Sequence, residues 1–162
     1  MDKYKIVVDS REQKPLWNKN TVTKKLDTGD YSLYGYEDKI CIERKSLPDL
    51  FGTLGKENKR FKKELERSRE LEYFAIVIDG SFSSCLNKEF DGAYYSKMKG
   101  FVITKILFTL HMKYGINIFF SNGRIESKRI IKHLFNSYIN NVKTIKKKNL
   151  NTTTSNEVKK DK

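Results

Sequence analysis

Few residues in this chain of 162 could form a disulfide framework or a zinc site. It has two cysteines, Cys41 and Cys85, and two histidines, His111 and His133. Two cysteines alone make neither kind of site, so a reduced protein of the cytoplasm is expected. Both histidines fall within helical patterns, which favours solvated or core-edge side chains over catalytic ones.

Long apolar runs are also missing. No segment resembles a signal peptide or a membrane span, and no internal repeat is visible, so no membrane partner is expected. Apolar residues still make up 38% of the chain and aromatic residues 12%. This composition is typical of a folded protein, and the length fits one ordinary domain.

Acidic residues are scarce relative to basic ones, with 20 Asp and Glu against 33 Lys and Arg and a formal net charge of +13. From Lys143 onward, seven lysines face two acids, which gives +5, so the preceding body still carries +8. A basic body favours polyanionic partners such as DNA. The apolar periodicity stops at the same point, which predicts a folded domain over 1–143 and a lysine-rich, disordered tail over 144–162.

Short apolar runs alternate with amphipathic helical patterns along the body. Strands are predicted at 4–9, 31–34, 39–45, 73–79 and 116–120, and helices at 49–54, 57–72, 97–114 and from 124 onward. Residues 10–28 are polar and predict a loop with room for one short strand, and 81–95 also predict a loop. This order indicates an α/β fold with a mixed central sheet flanked by helices.

The helix predicted over 97–114 is apolar around much of its circumference. Such a helix is either sandwiched in the core or exposes an apolar face to a partner. In the second case it is the predicted surface of a homodimer.

The strand 39–45 carries acidic and basic residues next to apolar ones. Alternation places Glu43 and Lys45 on one face and Arg44 on the other. If Asp30 begins the partner strand of a hairpin, its carboxylate approaches Glu43. Two carboxylates and an ammonium would suit phosphodiester hydrolysis, with the acids holding Mg²⁺ and the lysine stabilising phosphate charge. A hairpin with ordinary salt bridges explains the same spacing.

Several short motifs resemble those of the XPF-type structure-specific endonuclease family, a branch of the PD-(D/E)xK nucleases. Gly29-Asp30 followed by Glu43-Arg44-Lys45, three residues and Asp49 is similar to the pattern GD, spacer, ERKxxxD. The segment VDSRE at 8–12 looks like the VDxRE strand end of that family, and Arg60-Phe61 is similar to its RF segment. The resemblance is close over residues 4–80. Beyond them, only the order of the helices and strands agrees. It implies a restriction-endonuclease-like fold.

The resemblance also implies roles for individual residues. Asp30 and Glu43 would ligate Mg²⁺ or Mn²⁺, with Asp9 close to the cation. Lys45 and Arg44 would give catalytic support.

Further positions would surround the substrate. Glu12 and Asp49 would have polar roles around the site, and Arg11 and Arg60 would meet phosphates. Because Arg44 points to the opposite face, a structural role is also open for it, with Asp49 as an ion-pair partner. Asp49 could equally favour the positive end of a helix that begins near it.

The function implied is a metal-dependent DNA endonuclease, acting at branched, flap or single-strand/duplex junction DNA. The alternative is a catalytically inactive nucleic-acid-binding module of the same fold. The presence of Asp9, Asp30, Glu43 and Lys45 favours activity, since a dead copy would be free to lose them. Family members usually carry tandem helix-hairpin-helix motifs, which this sequence does not show, so activity is implied more firmly than structure specificity.

Overall fold

The computed structural model describes residues 4–55 and 58–157. The strands in these ranges form a six-stranded mixed sheet. Its strands are β1 (Ile6–Asp9), β2 (Thr21–Lys24), β3 (Tyr31–Leu33), β4 (Ile40–Ser46), β5 (Tyr73–Asp79) and β6 (Asn117–Ser121). They lie in the order β2-β1-β3-β4-β5-β6. β3 is antiparallel to β1 and β4, while the pairs β1–β2, β4–β5 and β5–β6 are parallel. The predicted mixed sheet and its β3–β4 hairpin are confirmed.

This topology gathers charged residues at one edge of the sheet. β1, β4 and β5 run in the same direction, so their carboxyl ends, at Asp9, Ser46 and Asp79, lie at that edge. β3 runs the opposite way and begins there, directly after Asp30. Ligand sites in open α/β sheets lie outside the carboxyl ends of the strands.

Five α-helices connect and follow the strands in the described residues: α1 (Leu47–Gly55), α2 (Asn58–Ser68), α3 (Phe82–Asn87), α4 (Gly100–Tyr114) and α5 (Arg124–Glu157). α3 and a short 3-10 helix, Ala93–Tyr95, lie in the segment predicted as a loop. That prediction was wrong because six residues are too few to show a helical period. The strand allowed for within 10–28 is β2, which lies at a sheet edge and is half-buried to exposed.

The core lies between the sheet and the helices that follow β4 and β5. α1 contributes Leu50, Phe51 and Leu54, and α4 contributes Ile103 and Leu107, all at most 3% exposed. Each fully buried side chain of this size stabilises the fold by about 1.5–3 kcal/mol. Cys41 and Cys85 are free thiols within the same core. None of the helices in the described part is long and apolar enough to cross a membrane.

The described residues divide into two compact units, one ending at Ile130 and the other beginning at Ile131. The second unit begins within α5, where Ile131, Phe135 and Ile139 are buried at four-residue spacing. The predicted boundary after residue 143 falls inside this helix, which continues to Glu157, and it stays a prediction. Residues 158–162 of the predicted tail lie outside the described residues.

Candidate active site

A turn places Asp30 beside the middle of β4. Gly29, just before it, has φ +77°, and a Cβ there would lie 3.1 Å from the Ile42 carbonyl oxygen, so glycine is required. The Asp30 N–H donates to the Ile42 carbonyl over 2.9 Å. Its carboxylate accepts the Arg44 N–H over 2.8 Å, which fixes the direction of the side chain.

Glu43 and Lys45 share the face of β4 that borders the same cleft, as alternation predicts. The Lys45 ammonium lies 2.8 Å from the Glu43 carboxylate, and both side chains are about 10% exposed, at 12% and 9%. Lys45 also lies over the Phe61 ring, 5.2 Å from its centroid. The cleft has a volume of about 240 Å³, and Asp30, Glu43 and Lys45 all line it. The structure therefore brings the three predicted residues together.

Burial makes this cleft an unfavourable place for negatively charged carboxylates. It raises the pKa of Asp30 to about 7, and the negative charges of Glu12 and Glu64 act in the same direction. Burial and the neighbouring Asp30 hold the pKa of Glu43 well above its usual value. Burial alone would lower the pKa of Lys45, but the charge of Glu43 raises it. One ammonium thus faces several carboxylates, and a further cation would relieve their repulsion.

Glu64 is the residue of this cleft that the sequence analysis missed. It lies on α2, three residues after the buried Phe61, so both side chains are on the same helical face. Its carboxylate accepts the Gly29 N–H over 3.2 Å and so supports the turn that presents Asp30. The spacing from Phe61 was a usable signal, but Arg60 was the one charged residue of α2 to which the sequence analysis gave a role at the site.

Asp9 lines the cleft but is fully engaged within the protein. One oxygen accepts the backbone and side-chain N–H groups of Arg11 over 2.9 and 2.7 Å. The other accepts from Arg11 over 3.1 Å and from the Leu26 N–H over 2.7 Å. Burial would raise the pKa of Asp9, but these hydrogen bonds from Arg11 and Leu26 hold it below its usual value. Its predicted place next to a cation stays a prediction.

Arg44 lies on the opposite face of β4, where it forms an ion pair with Asp79 at the end of β5. Glu12 is a second partner, 3.8 Å away. The Arg44 side chain is 11% exposed and its Nε has no hydrogen-bond partner among the described residues. Asp79 also accepts a hydrogen bond from Ser127. Asp79 was not identified from the sequence, although it ends the most apolar strand.

Asp49 is not the ion-pair partner that was considered for Arg44. Its carboxylate instead accepts the Ser46 hydroxyl over 2.6 Å, and its N–H donates to that hydroxyl over 3.3 Å. These contacts lie in the first turn of α1, where an acid also interacts favourably with the helix dipole. Arg44 finds Asp79 instead because parallel pairing of β4 and β5 brings their carboxyl ends together.

The predicted phosphate-binding arginines lie at the mouth of the cleft. Arg60 is exposed and lines it, and Arg11 does so with 55% of its side chain exposed. The Glu12 carboxylate accepts the Lys14 N–H over 2.7 Å and forms an ion pair with Arg44. Basic groups therefore surround an acidic centre.

The donor set suits a hard cation held by few protein ligands. Across the described ranges, no group of three or more His, Cys, Asp or Glu side chains is arranged to hold a metal ion. Asp30 and Glu43 are a pair, and Mg²⁺ is usually bound by one or two carboxylates together with waters and substrate phosphates. The pair fits that pattern, and burial raises the pKa of both carboxyl groups.

The fold and this cleft define a class, an α/β protein with a restriction-endonuclease-like fold and an acidic cleft at the carboxyl ends of its strands. The model of the ERCC4 domain family matches residues 8–134. The chain belongs to this family.

Solved structures agree with the fold. XPF from Aeropyrum pernix is 22% identical with a TM-score of 0.59, and the match covers 80% of this chain and 59% of that chain. The structure described as XPF from Aeropyrum pernix in complex with DNA gives 22% identity, a TM-score of 0.60 and coverage of 82% and 63%. This chain thus spans about three fifths of their length. No curated protein matches it.

Proposed function

We propose that this protein is a divalent-metal-dependent DNA endonuclease. The observation that carries the proposal is the buried pair Asp30 and Glu43 with Lys45 beside it, within a cleft whose mouth holds exposed arginines. The ERCC4 domain and the XPF relative described with DNA support a DNA substrate. The basic body of the chain acts in the same direction.

Each residue has a task that its position supports. Asp30 and Glu43 would hold Mg²⁺ or Mn²⁺, and the Arg44 N–H keeps Asp30 directed at that position. The bound cation would polarise the scissile phosphate and lower the pKa of a water molecule. Lys45, whose ammonium lies 2.8 Å from the Glu43 carboxylate, would neutralise charge that develops on the phosphate oxygens. Arg60 and Arg11 would bind neighbouring phosphates.

The preferred substrate is proposed to be branched, flap or single-strand/duplex junction DNA. A cleavage panel of duplex, single strand, flap, fork and four-way junction, with and without Mg²⁺ or Mn²⁺, tests both substrate and metal. Asp30→Asn and Glu43→Gln should each reduce cleavage at least about 100-fold, since each removes a ligand charge. Asp38→Asn is the matched control, because Asp38 is exposed in the turn before β4, at the end opposite Lys45.

The alternative function is a binding module without catalysis. It predicts that the wild-type protein binds the panel but cleaves none of it under any metal, and that Asp30→Asn leaves binding unchanged. Full cleavage by both site variants would instead refute the assignment of the site.

We also propose that the protein forms a homodimer through α4. This helix buries Ile103 and Leu107 but leaves Phe101, Phe108 and Met112 exposed by 57%, 53% and 83%. Exposed apolar side chains along one helix suit a self-complementary contact with a second copy. Phe101→Ser with Phe108→Ser should convert a dimer into a monomer in light scattering, whereas Ile125→Ser, also exposed by 74%, should not. A monomeric wild-type protein would refute the proposal.

A further inference from the structure

Two adjacent tyrosines stand out from the surface ahead of α4. Tyr94 and Tyr95 are 77% and 80% exposed, and their ring centroids lie 4.1 Å apart. They belong to the 3-10 helix that follows Gly92, which has φ +80°. The Lys88 ammonium donates to the Ser96 carbonyl over 2.7 Å and so ties the two ends of this turn together. The turn that carries the rings is therefore tied at both ends, while most of each ring surface remains open to solvent.

A groove of about 520 Å³ runs beside Tyr95. Phe90 and Met98 line it on the side of the loop, and Pro48, Gly52 and Gly55 line it on the side of α1. The lining is mostly apolar and aromatic, as is common for sites that take a flat organic group.

Gly52 has no structural reason to be glycine. A Cβ at this position would meet nothing within 4 Å, and its φ is not positive. Gly52 nevertheless lies inside α1, where glycine is less favourable than alanine. Close approach of a ligand to the helix backbone would explain its presence, because a side chain there would extend into the groove.

The groove lies next to the catalytic cleft, with α1 between them. Asp49 and Thr53 are four residues apart and line the face of α1 turned towards the catalytic residues. Pro48, Gly52 and Gly55 form the neighbouring face, rotated by about 100°. On a helix about 10 Å across, two faces 100° apart lie about 8 Å from each other. That distance corresponds to about two nucleotide steps along a strand, at about 3.4 Å each.

The rim of the groove carries positive charge. Lys97 is exposed and lines the groove, and Lys99 is exposed nearby. Glu89 and Asp91 belong to the same loop but do not line it.

We propose that the groove binds unpaired nucleotides of a DNA strand that passes through the catalytic cleft. Their bases would stack on Tyr94 and Tyr95, and Lys97 would contact a phosphate. This inference rests on the proposed function and deepens it, because it names single-stranded DNA next to the cut as the bound segment. Stacking on aromatic side chains is independent of sequence, since every base has a flat face.

Fluorescence anisotropy without metal tests binding separately from cleavage. The probes are a labelled oligothymidylate about 12 nucleotides long and a duplex of the same length, a size suited to single-strand grooves. The double variant Tyr94→Leu with Tyr95→Leu should bind the single strand roughly tenfold or more weakly, because stacking partners are lost. Gly52→Leu should act similarly by filling the groove. Duplex affinity should change by less than about twofold, since phosphate contacts elsewhere dominate it.

Matched controls separate the groove from general surface effects. Tyr34→Leu removes another tyrosine, exposed by 59%, and should leave single-strand binding unchanged. Gly52→Ala adds only a Cβ in open space and should have a smaller effect than Gly52→Leu. Thermal melting of each variant checks the fold.

Three outcomes overturn the proposal: a wild-type protein that does not bind the single strand, groove variants that bind it normally, or an equal loss for duplex. Normal binding by the groove variants would point to a different occupant, such as a peptide segment. If the groove variants lose single-strand binding but the wild-type protein never cleaves DNA, the groove is supported and the nuclease proposal fails. If Asp30→Asn abolishes cleavage while the groove variants bind normally, the nuclease proposal stands and the groove fails.

Discussion

Asp30→Asn should stabilise the metal-free protein while removing its activity. Burial raises the pKa of Asp30 from 3.8 to about 7, so the charged carboxylate is held in the cleft at a cost in free energy. Asparagine retains an oxygen that can accept the Arg44 N–H, which the carboxylate accepts over 2.8 Å. The substitution therefore removes repulsion with Glu43 and Glu64 without breaking the contact that orients the side chain.

The size of the effect follows from the shift in pKa. A rise of about 3 units corresponds to about 4 kcal/mol at 1.36 kcal/mol per unit. Water at the open mouth of the cleft screens part of this cost, so we expect a gain of about 2 kcal/mol at pH 8. For a chain of this length that gain raises Tm by about 4–8 °C.

The pH dependence has a defined sign. Between about pH 4 and pH 7 the unfolded chain releases the Asp30 proton while the folded chain retains it, so the wild-type protein loses stability as the pH rises. The advantage of Asp30→Asn should thus be complete above about pH 7 and vanish near pH 4.

Thermal unfolding followed by circular dichroism in EDTA at both pH values measures this difference. Asp38→Asn, at an exposed aspartate, is the control and should shift Tm by less than about 1 °C. Added Mg²⁺ should stabilise the wild-type protein more than the variant, because ligand binding favours the folded state. An Asp30→Asn protein that melts at or below the wild-type temperature at pH 8 would refute the argument from buried charge.

Three further predictions concern residues around the cleft and the tail. Glu64→Gln should raise the Mg²⁺ concentration for half-maximal cleavage about tenfold in a metal titration, because it removes a nearby negative charge, and an unchanged titration would contradict this role. Asp79→Asn should destabilise the protein by about 3 kcal/mol in urea unfolding, since it leaves Arg44 with a weakened buried ion pair; a change below about 1 kcal/mol would be inconsistent with that pair. Deletion of 146–162 should weaken DNA binding and flatten its salt dependence without removing catalysis, whereas an unchanged salt slope would exclude the lysines of this segment from phosphate contacts.

Local patterns were sufficient for the hairpin and the faces of β4. Side-chain direction alternates along any strand. It was therefore possible to predict, without knowing the fold, that Glu43 and Lys45 share a face of β4 and that Arg44 points the opposite way. The same approach missed α3 and left β2 open. α3 has only six residues, and β2 lacks a buried face, so neither shows a clear apolar period.

The sequence by itself determined the motifs and the order of most elements. It also determined the grouping of Asp30, Glu43 and Lys45, because these three residues are neighbours in one hairpin. Only the tertiary structure decided the remaining partners. Glu64 reaches the cleft because α2 lies beside the turn at Gly29, whose N–H donates to the Glu64 carboxylate. Asp79 meets Arg44 because β5 lies beside β4. Both contacts join residues that are 35 positions apart along the chain, and no local pattern specifies which distant strand or helix becomes a neighbour.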